Sequence, residues 1–241
     1  VTGVSRGIGH ATVTKLLDDG FEVGGTIRNS STPPSWSSSV HLEVADATIK
    51  TETEAAIAQL VEKLGGLDVV VANAGQGRSG GVLESADDAW FDQMRNKLAT
   101  VSYLVNAALP HLKQSANPRI IVVGGITGNK PEINQGVVSA TRAAQINMVS
   151  NLAAELAPFK ICVNAVLLGA ILTDRQRDKF AKSGSNDFDS WAAEEVKRRR
   201  IPFERFGDAR EVAALIGFLA SESAGYITGA MIPIAGGLGT T

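Results

Sequence analysis

The stretch Thr2-Gly3-Val4-Ser5-Arg6-Gly7-Ile8-Gly9 constrains this chain more than any other. Glycines at that spacing permit a tight turn, a close approach of backbone to ligand, and close packing of the helix that follows. The free N–H groups and the dipole at that helix's start make the turn an anion site suited to a pyrophosphate. Alone, such a pattern is weak evidence. Here it opens a helix and heads a chain in which helical and strand-like segments alternate to the end, which turns it into a fold prediction.

Residues 8–19 read as a helix ended by Gly20, 21–27 as a strand, and 29–39 as a loop rich in Ser and Pro. A short strand at 40–44 and a polar-faced helix at 48–64 follow, closed by Gly65-Gly66. The unbroken apolar run 67–72 has the character of a parallel strand covered on both faces. A long helix over 86–112, a buried strand at 119–123, a helix over 136–157 and a sixth strand at 161–166 continue the alternation. Residues 174–200 are polar, with helical stretches broken at Gly184. A helix at 208–221 and a last strand at 231–234 complete the pattern. The expected class is α/β: a single doubly wound, Rossmann-type domain over 1–241, with about seven parallel strands, helices on both faces and a lid at 174–205. The first strand of such a sheet is central, so a chain opening at Val1 is expected to lack residues upstream.

With 23 Lys and Arg against 25 Asp and Glu, interspersed in sign, the net charge of −2 argues against nucleic-acid or membrane-surface partners. The basic run Lys197-Arg198-Arg199-Arg200 lies beside Glu194 and Glu195 and reads as a solvated helix face. No apolar run reaches membrane-span length and no signal peptide is visible, so the expected location is the cytoplasm. The single cysteine, Cys162, sits in ICVNAVLL and reads as a small core residue, which leaves neither disulfide framework nor metal spacing. Asn29-Ser30-Ser31 fits a glycosylation acceptor that would be idle without secretion.

The end of the second strand decides the cofactor. An Asp or Glu there would hold the ribose hydroxyls of NAD. The residues present are Thr26-Ile27-Arg28-Asn29-Ser30, with no acid before Glu43. Arg28 can pair bidentately with a 2′-phosphate and Arg6 is placed to assist, which predicts NADP(H).

Several segments carry a family likeness: TGVSRGIG, Ala72-Asn73-Ala74-Gly75, Val163-Asn164-Ala165-Val166, IPFERFGDAREVA, Tyr226-Ile227-Thr228-Gly229 and Ala235-Gly236-Gly237. In these the chain resembles the short-chain dehydrogenases/reductases over essentially its whole length, and most closely the 3-oxoacyl-carrier-protein reductase branch. The resemblance implies that Gly3, Ser5, Arg6, Gly7, Ile8 and Gly9 cradle the pyrophosphate. It also implies that Asn73, Ala74 and Gly75 line the adenosine-ribose side, and that the turn from Gly169 to Thr173 touches the nicotinamide end. Leu168 departs from the family's usual proline. The family's long helices pair in oligomers, which implies a homodimer or homotetramer through 86–112 and 136–157.

The family's chemistry uses an Asn on the long helix, a Ser after strand five, and a Tyr and Lys four residues apart. Aligned on RIIVVGGITG and GVVSATRAA, the Ser position is Gly125, the Tyr position Val138 and the Lys position Arg142. Counting back from Pro110 puts Lys97 at the Asn position, with Asn96 one residue away. Val138 has no proton to give and an arginine is too basic to transfer one, although Arg142 can still bind ribose. Ordinary carbonyl reduction is therefore expected to be severely impaired. An electrophile that is already cationic escapes that limit, because hydride addition to an iminium carbon yields a neutral amine. Lys97, and Glu132 in NKPEIN, are the charged residues expected to frame such a pocket for a small-molecule substrate.

This pattern resembles a small group of fungal indole-alkaloid enzymes of the same descent, in which NADPH-dependent iminium reduction is coupled to an intramolecular Diels–Alder cyclisation. That group favours Arg and Asp where this chain has Lys97 and Glu132. The alternative expectation is a catalytically degenerate nucleotide-binding subunit or regulator that partners an active homologue. Phe180, Phe188 and Trp191 would either cover a hydrophobic substrate or pin the lid to the core.

Overall fold

The computed structural model describes residues 1–29, 36–77 and 80–239. Ser30 and Ser31 of the sequon, and most of the Ser/Pro-rich loop, lie outside the described residues.

Helix α1 (Gly7–Asp18) grows directly from the glycine turn and is followed by β1 (Gly24–Ile27), β2 (His41–Val44) and α2 (Lys50–Leu64). Next come β3 (Val69–Ala72), α3 (Asp87–Met94), a π-helical turn at Arg95–Ala99, and α4 (Thr100–Leu112). These last three run on without a break, as the single long helix expected there. Strand β4 (Arg119–Gly125) is two residues longer than its apolar run, because Gly124 and Gly125 stay in the ladder opposite Leu167 and Leu168. Helix α5 (Gly136–Leu156), β5 (Cys162–Leu168), β6 (Ile171–Leu172), α6 (Asp174–Ala181) and α7 (Phe188–Arg198) follow. Strand β7 (Gly207–Asp208), α8 (Ala209–Ala220) and β8 (Met231–Ile234) end the chain. Gly184, with φ +77°, makes the break between α6 and α7.

All pairings in the main sheet are parallel. β1 pairs β2, and β3, β4, β5 and β8 pair in that order. Val1 and Thr2 join the two groups: Thr26 N–H donates to Val1 O at 3.0 Å and Thr2 N–H to Val71 O at 3.0 Å. The order is thus β2, β1, Val1–Thr2, β3, β4, β5, β8, which accounts for seven parallel positions. A cavity of 640 Å³ is lined by Val1, Thr2, Gly24, Leu60, Val71 and Leu104. β6 and β7 form a small separate pair.

Consecutive strand residues serve opposite faces. Val70, Ile120, Val122 and Ala165 pack under α2, α4 and α5 with Ile57, Leu104, Leu112 and Val149. Val71, Ile121 and Val166 face the other way, against Val13 and Leu16 of α1 and Val212, Ile216 and Leu219 of α8. Cys162 is buried, as its apolar setting predicts. The strand order reverses where Val1–Thr2 meets β3, so the crevice beyond the carboxyl ends of these strands is where such a sheet receives a ligand.

Three of the four aromatics of segment 174–205 form a small core of their own, while Phe203 is exposed. Phe180 meets Phe188 edge-on at 5.3 Å, and Trp191 stacks near both and near Phe206, with Ala170, Val196 and Ile201 beneath. That packing is the pinning arrangement of the two expected for them. No helix among the described residues is long and apolar enough to cross a membrane.

Candidate active site

A cleft of 420 Å³ opens at the strand-order reversal. Gly3 and Gly7 have φ of +70° and +58°, the left-handed region that favours glycine. Gly9 is set by contact: a Cβ there would stand 2.2 Å from Gly3 O and 2.6 Å from Asn73 Nδ2. Asn73 locks the turn, its amide donating to Thr2 O at 2.9 Å and Gly3 O at 3.0 Å. The Thr2 hydroxyl accepts from the Asn73 and Ala74 N–H groups at 3.1 and 3.0 Å. Helix α1 has no side-chain cap and no acid in its first turn, which leaves its free N–H groups facing the cleft.

Arg28, at the end of β1, and Arg6 line the same end. Arg6 lies 3.7 Å from Asp178 in an exposed pair of little weight. Asp46 closes this end. Its carboxylate accepts from Thr48 Oγ1 and N–H at 2.7 and 2.9 Å, and those bonds, with Arg28 nearby, hold its pKa below the ordinary value. A glycine cradle, unspent helix N–H groups and an arginine at the second strand fit a dinucleotide bearing a 2′-phosphate. Gly3, Ser5, Arg6, Gly7, Ile8, Gly9, Arg28, Asn73, Ala74, Gly75, Gly169 and Thr173 all line this one cleft.

The other end holds Lys97 and Arg142. Lys97 sits in the π-helical turn, whose widened register carries it inward while the Asn96 side chain turns back to Asp92 O. The carbonyl of Lys97 accepts from Gln145 Nε2 at 3.1 Å. Its ammonium faces Gly75, 3.3 Å from where a Cβ would stand. Burial first, then the charges of Arg142 and Arg175, lower its pKa from 10.5 to about 7.

Arg142 folds back over Gly125. A Cβ on Gly125 would stand 2.2 Å from its Nη1, so the guanidinium fills the space a serine side chain would need. Nη1 donates to Thr127 Oγ1 at 3.0 Å. Burial, with Arg175 nearby and against the pull of Glu132, lowers the Arg142 pKa to about 10. Val138 is buried on α5. Glu132 stands apart: partly buried in the turn before α5, it accepts from Gln135 Nε2 and does not line the cleft. Neither tyrosine lines the cleft, and Tyr226 is fully exposed.

Two residues that line the cleft, Gln145 and Arg175, and one that holds Arg142, Thr127, escaped sequence reasoning. Gln145 lies one helical turn past Arg142 and Thr127 just past Gly125, so helix spacing and adjacency were the available signals. Arg175 follows Thr173 by two residues, yet its Nη2 donates to Gly77 O at 3.1 Å, a contact no local pattern announces. Among the described residues no group of His, Cys, Asp or Glu could hold a metal ion.

Residues 3–239 match the family model described as enoyl-(acyl carrier protein) reductase. The 3-oxoacyl-[acyl-carrier-protein] reductase FabG of Haemophilus influenzae is 31% identical over 99% of this chain and 96% of its own length. An NADPH-bound short chain oxidoreductase from Pseudomonas aeruginosa PAO1, described as containing an atypical catalytic center, superposes with a TM-score of 0.95. It is 32% identical, over 100% of this chain and 96% of that one. YwfH, an NADPH-dependent reductase involved in bacilysin biosynthesis, gives a TM-score of 0.91 at 29% identity, over 100% of this chain and 97% of that one. The glycine turn, the Asn73 lock, the parallel strand order and these matches along the whole chain place the protein in the short-chain dehydrogenase/reductase family.

Proposed function

We propose that this chain is an NADP(H)-dependent oxidoreductase that reduces a pre-activated, iminium-type carbon without the family's Ser-Tyr-Lys machinery. Its cofactor is NADP(H), held by the glycine turn, Asn73, Arg28 and Arg142, with 174–205 as a lid over one nucleotide-binding domain. When bound, NADPH supplies the hydride. The observation that carries the reading is the rebuilt reaction end. Buried Val138 stands at the tyrosine position, and the Arg142 guanidinium occupies the serine position over Gly125. An acceptor that needs a proton from tyrosine finds none there, whereas an iminium carbon becomes a neutral amine with no proton donor. Lys97, whose pKa burial and two neighbouring arginines lower to about 7, is placed to exchange a proton near neutral pH. Glu132 acts on Arg142 from a distance and moderates the positive field. A homo-oligomer paired through α4 and α5 is the assembly this reading carries.

The test is NADPH oxidation by the pure protein with a cyclic iminium and, separately, an acetoacetyl thioester. Oxidation with the iminium alone is the expected result, and the ring count of a diene-bearing product then reads out coupled Diels–Alder cyclisation. Turnover of the thioester would overturn the proposal. Tight NADPH binding with no oxidation of any iminium would favour the second reading, a nucleotide-binding partner of an active homologue.

A further inference from the structure

Lys97, Arg142 and Arg175 meet at the reaction end of the cleft, and among the described residues none of the three is in an ion pair. Arg175 reaches across from the start of α6. Its Nη1 lies 3.4 Å from where a Cβ on Gly77 would stand, a point 3.6 Å from Val138 Cγ1, so the guanidinium is held beside the tyrosine position. Lys97 is buried, and Arg142 carries a buried Nε with no hydrogen-bond partner. Arg142 and Arg175 oppose the ionisation of Lys97, and Arg175 opposes that of Arg142. Gathering these groups without ion-pair partners, with Lys97 buried, Arg142 half-buried and Arg175 open to the cleft, produces a site poised for an anion. The cofactor's phosphates have partners of their own at the opposite end, in Arg6, Arg28 and the first turn of α1.

We infer that Arg175, backed by Arg142 and Lys97, docks a carboxylate of the substrate beside Val138. A guanidinium fork matches a carboxylate bidentately, and Arg175 commits only Nη2 to Gly77. The inference rests on the reductase reading for the reacting group, and it narrows that reading: an iminium carbon bearing its own carboxylate is neutral overall and brings no further positive charge among the three cations.

The experiment has a binding arm and a turnover arm. In the first, NADPH-loaded protein is titrated with pyrrole-2-carboxylate, a planar unreactive anion, and with pyrrole-2-carboxamide, followed by cofactor fluorescence. Carboxylate binding about tenfold tighter or more is expected, shrinking to within about threefold in Arg175→Gln, with partial rescue in Arg175→Lys. Equal binding of acid and amide overturns the inference. So does an Arg175→Gln effect confined to NADPH affinity, which would assign Arg175 to the cofactor. In the second arm, 1-pyrroline-2-carboxylate is compared with 1-pyrroline as hydride acceptor, and the acid is expected to lead in kcat/KM by a similar factor. Preferential carboxylate binding without turnover of either acceptor would support the anion site and count against the reductase reading; turnover of both without discrimination would do the reverse.

Discussion

Gly125→Ser restores the hydroxyl its relatives' family pattern carries, and in this fold it collides with Arg142. The new Cβ would stand 2.2 Å from Nη1, 2.4 Å from Cζ and 2.8 Å from Nε. An uncrowded contact is about 3.5 Å, so the guanidinium must retreat by roughly 1 Å and surrender its bond to Thr127 Oγ1. Because the colliding atoms end a flexible side chain, the backbone can stay in place and overpacking costs about 1–2 kcal/mol. Losing this bond, from a half-buried guanidinium that can turn to water, adds about 1 kcal/mol, the value of a typical hydrogen bond. Gly125→Ser is thus expected to destabilise by about 2–3 kcal/mol, or about 4–12 °C in Tm for a domain of this size. Arg142→Lys removes the wide head, so the double variant should cost at least about 1 kcal/mol less than the two single changes together. Urea unfolding of the four proteins measures that coupling. Strict additivity, or a neutral Gly125→Ser, would refute the idea that the absent serine and the present arginine are one structural change.

Arg28→Ala should weaken NADPH by about tenfold to a hundredfold while leaving NADH nearly untouched; equal weakening in a fluorescence titration would show that Arg28 does not read the 2′-phosphate. For Lys97 the native pKa is depressed from 10.5 to about 7, so the unfolded chain binds the extra proton between those values and stability rises with pH across that window. Lys97→Met should therefore stabilise by a few kcal/mol near pH 6, where the buried charge imposes its full cost, and by little above about pH 10. A gain in the urea midpoint that ignores pH would contradict the shift. Gly9→Ala drives a methyl against the Gly3 carbonyl, backbone that cannot swing aside, and is expected to cost more than about 3 kcal/mol and abolish NADPH binding. Retained NADPH affinity would show that the turn yields.

The glycine turn, the Asn73 segment and the strand periodicity were legible because each is a local rule: a turn needs glycine, and a strand covered on both faces needs an unbroken apolar run. That Gly125 and Val138 stand where the family resemblance implies a serine and a tyrosine was legible too, being read from neighbouring motifs in the chain. Even the choice of Lys97 over Asn96 came from counting, but its reason lay in the π-helical turn at Arg95–Ala99, which no pattern in the chain marks. Strand β4 ran past its apolar stretch because its parallel neighbour β5 held Gly124 and Gly125 in register, a tertiary preference overriding a poor local one.

What the sequence determined by itself, then, is the doubly wound α/β framework, the arginine at the end of β1, and which residues, Gly125 and Val138, stand where the family resemblance implies a serine and a tyrosine. The tertiary structure alone decided what surrounds them. Arg142 lies on Gly125, 17 residues earlier in the chain, because α5 packs against β4, and Arg175 reaches Gly77 across a separation of 98 residues. Glu132 turned instead to its neighbour Gln135 and acts on Arg142 only from a distance. Charges act through space, so the sign of a site follows from which side chains the fold gathers, and a chain read in one dimension lists those charges without saying which will face one another.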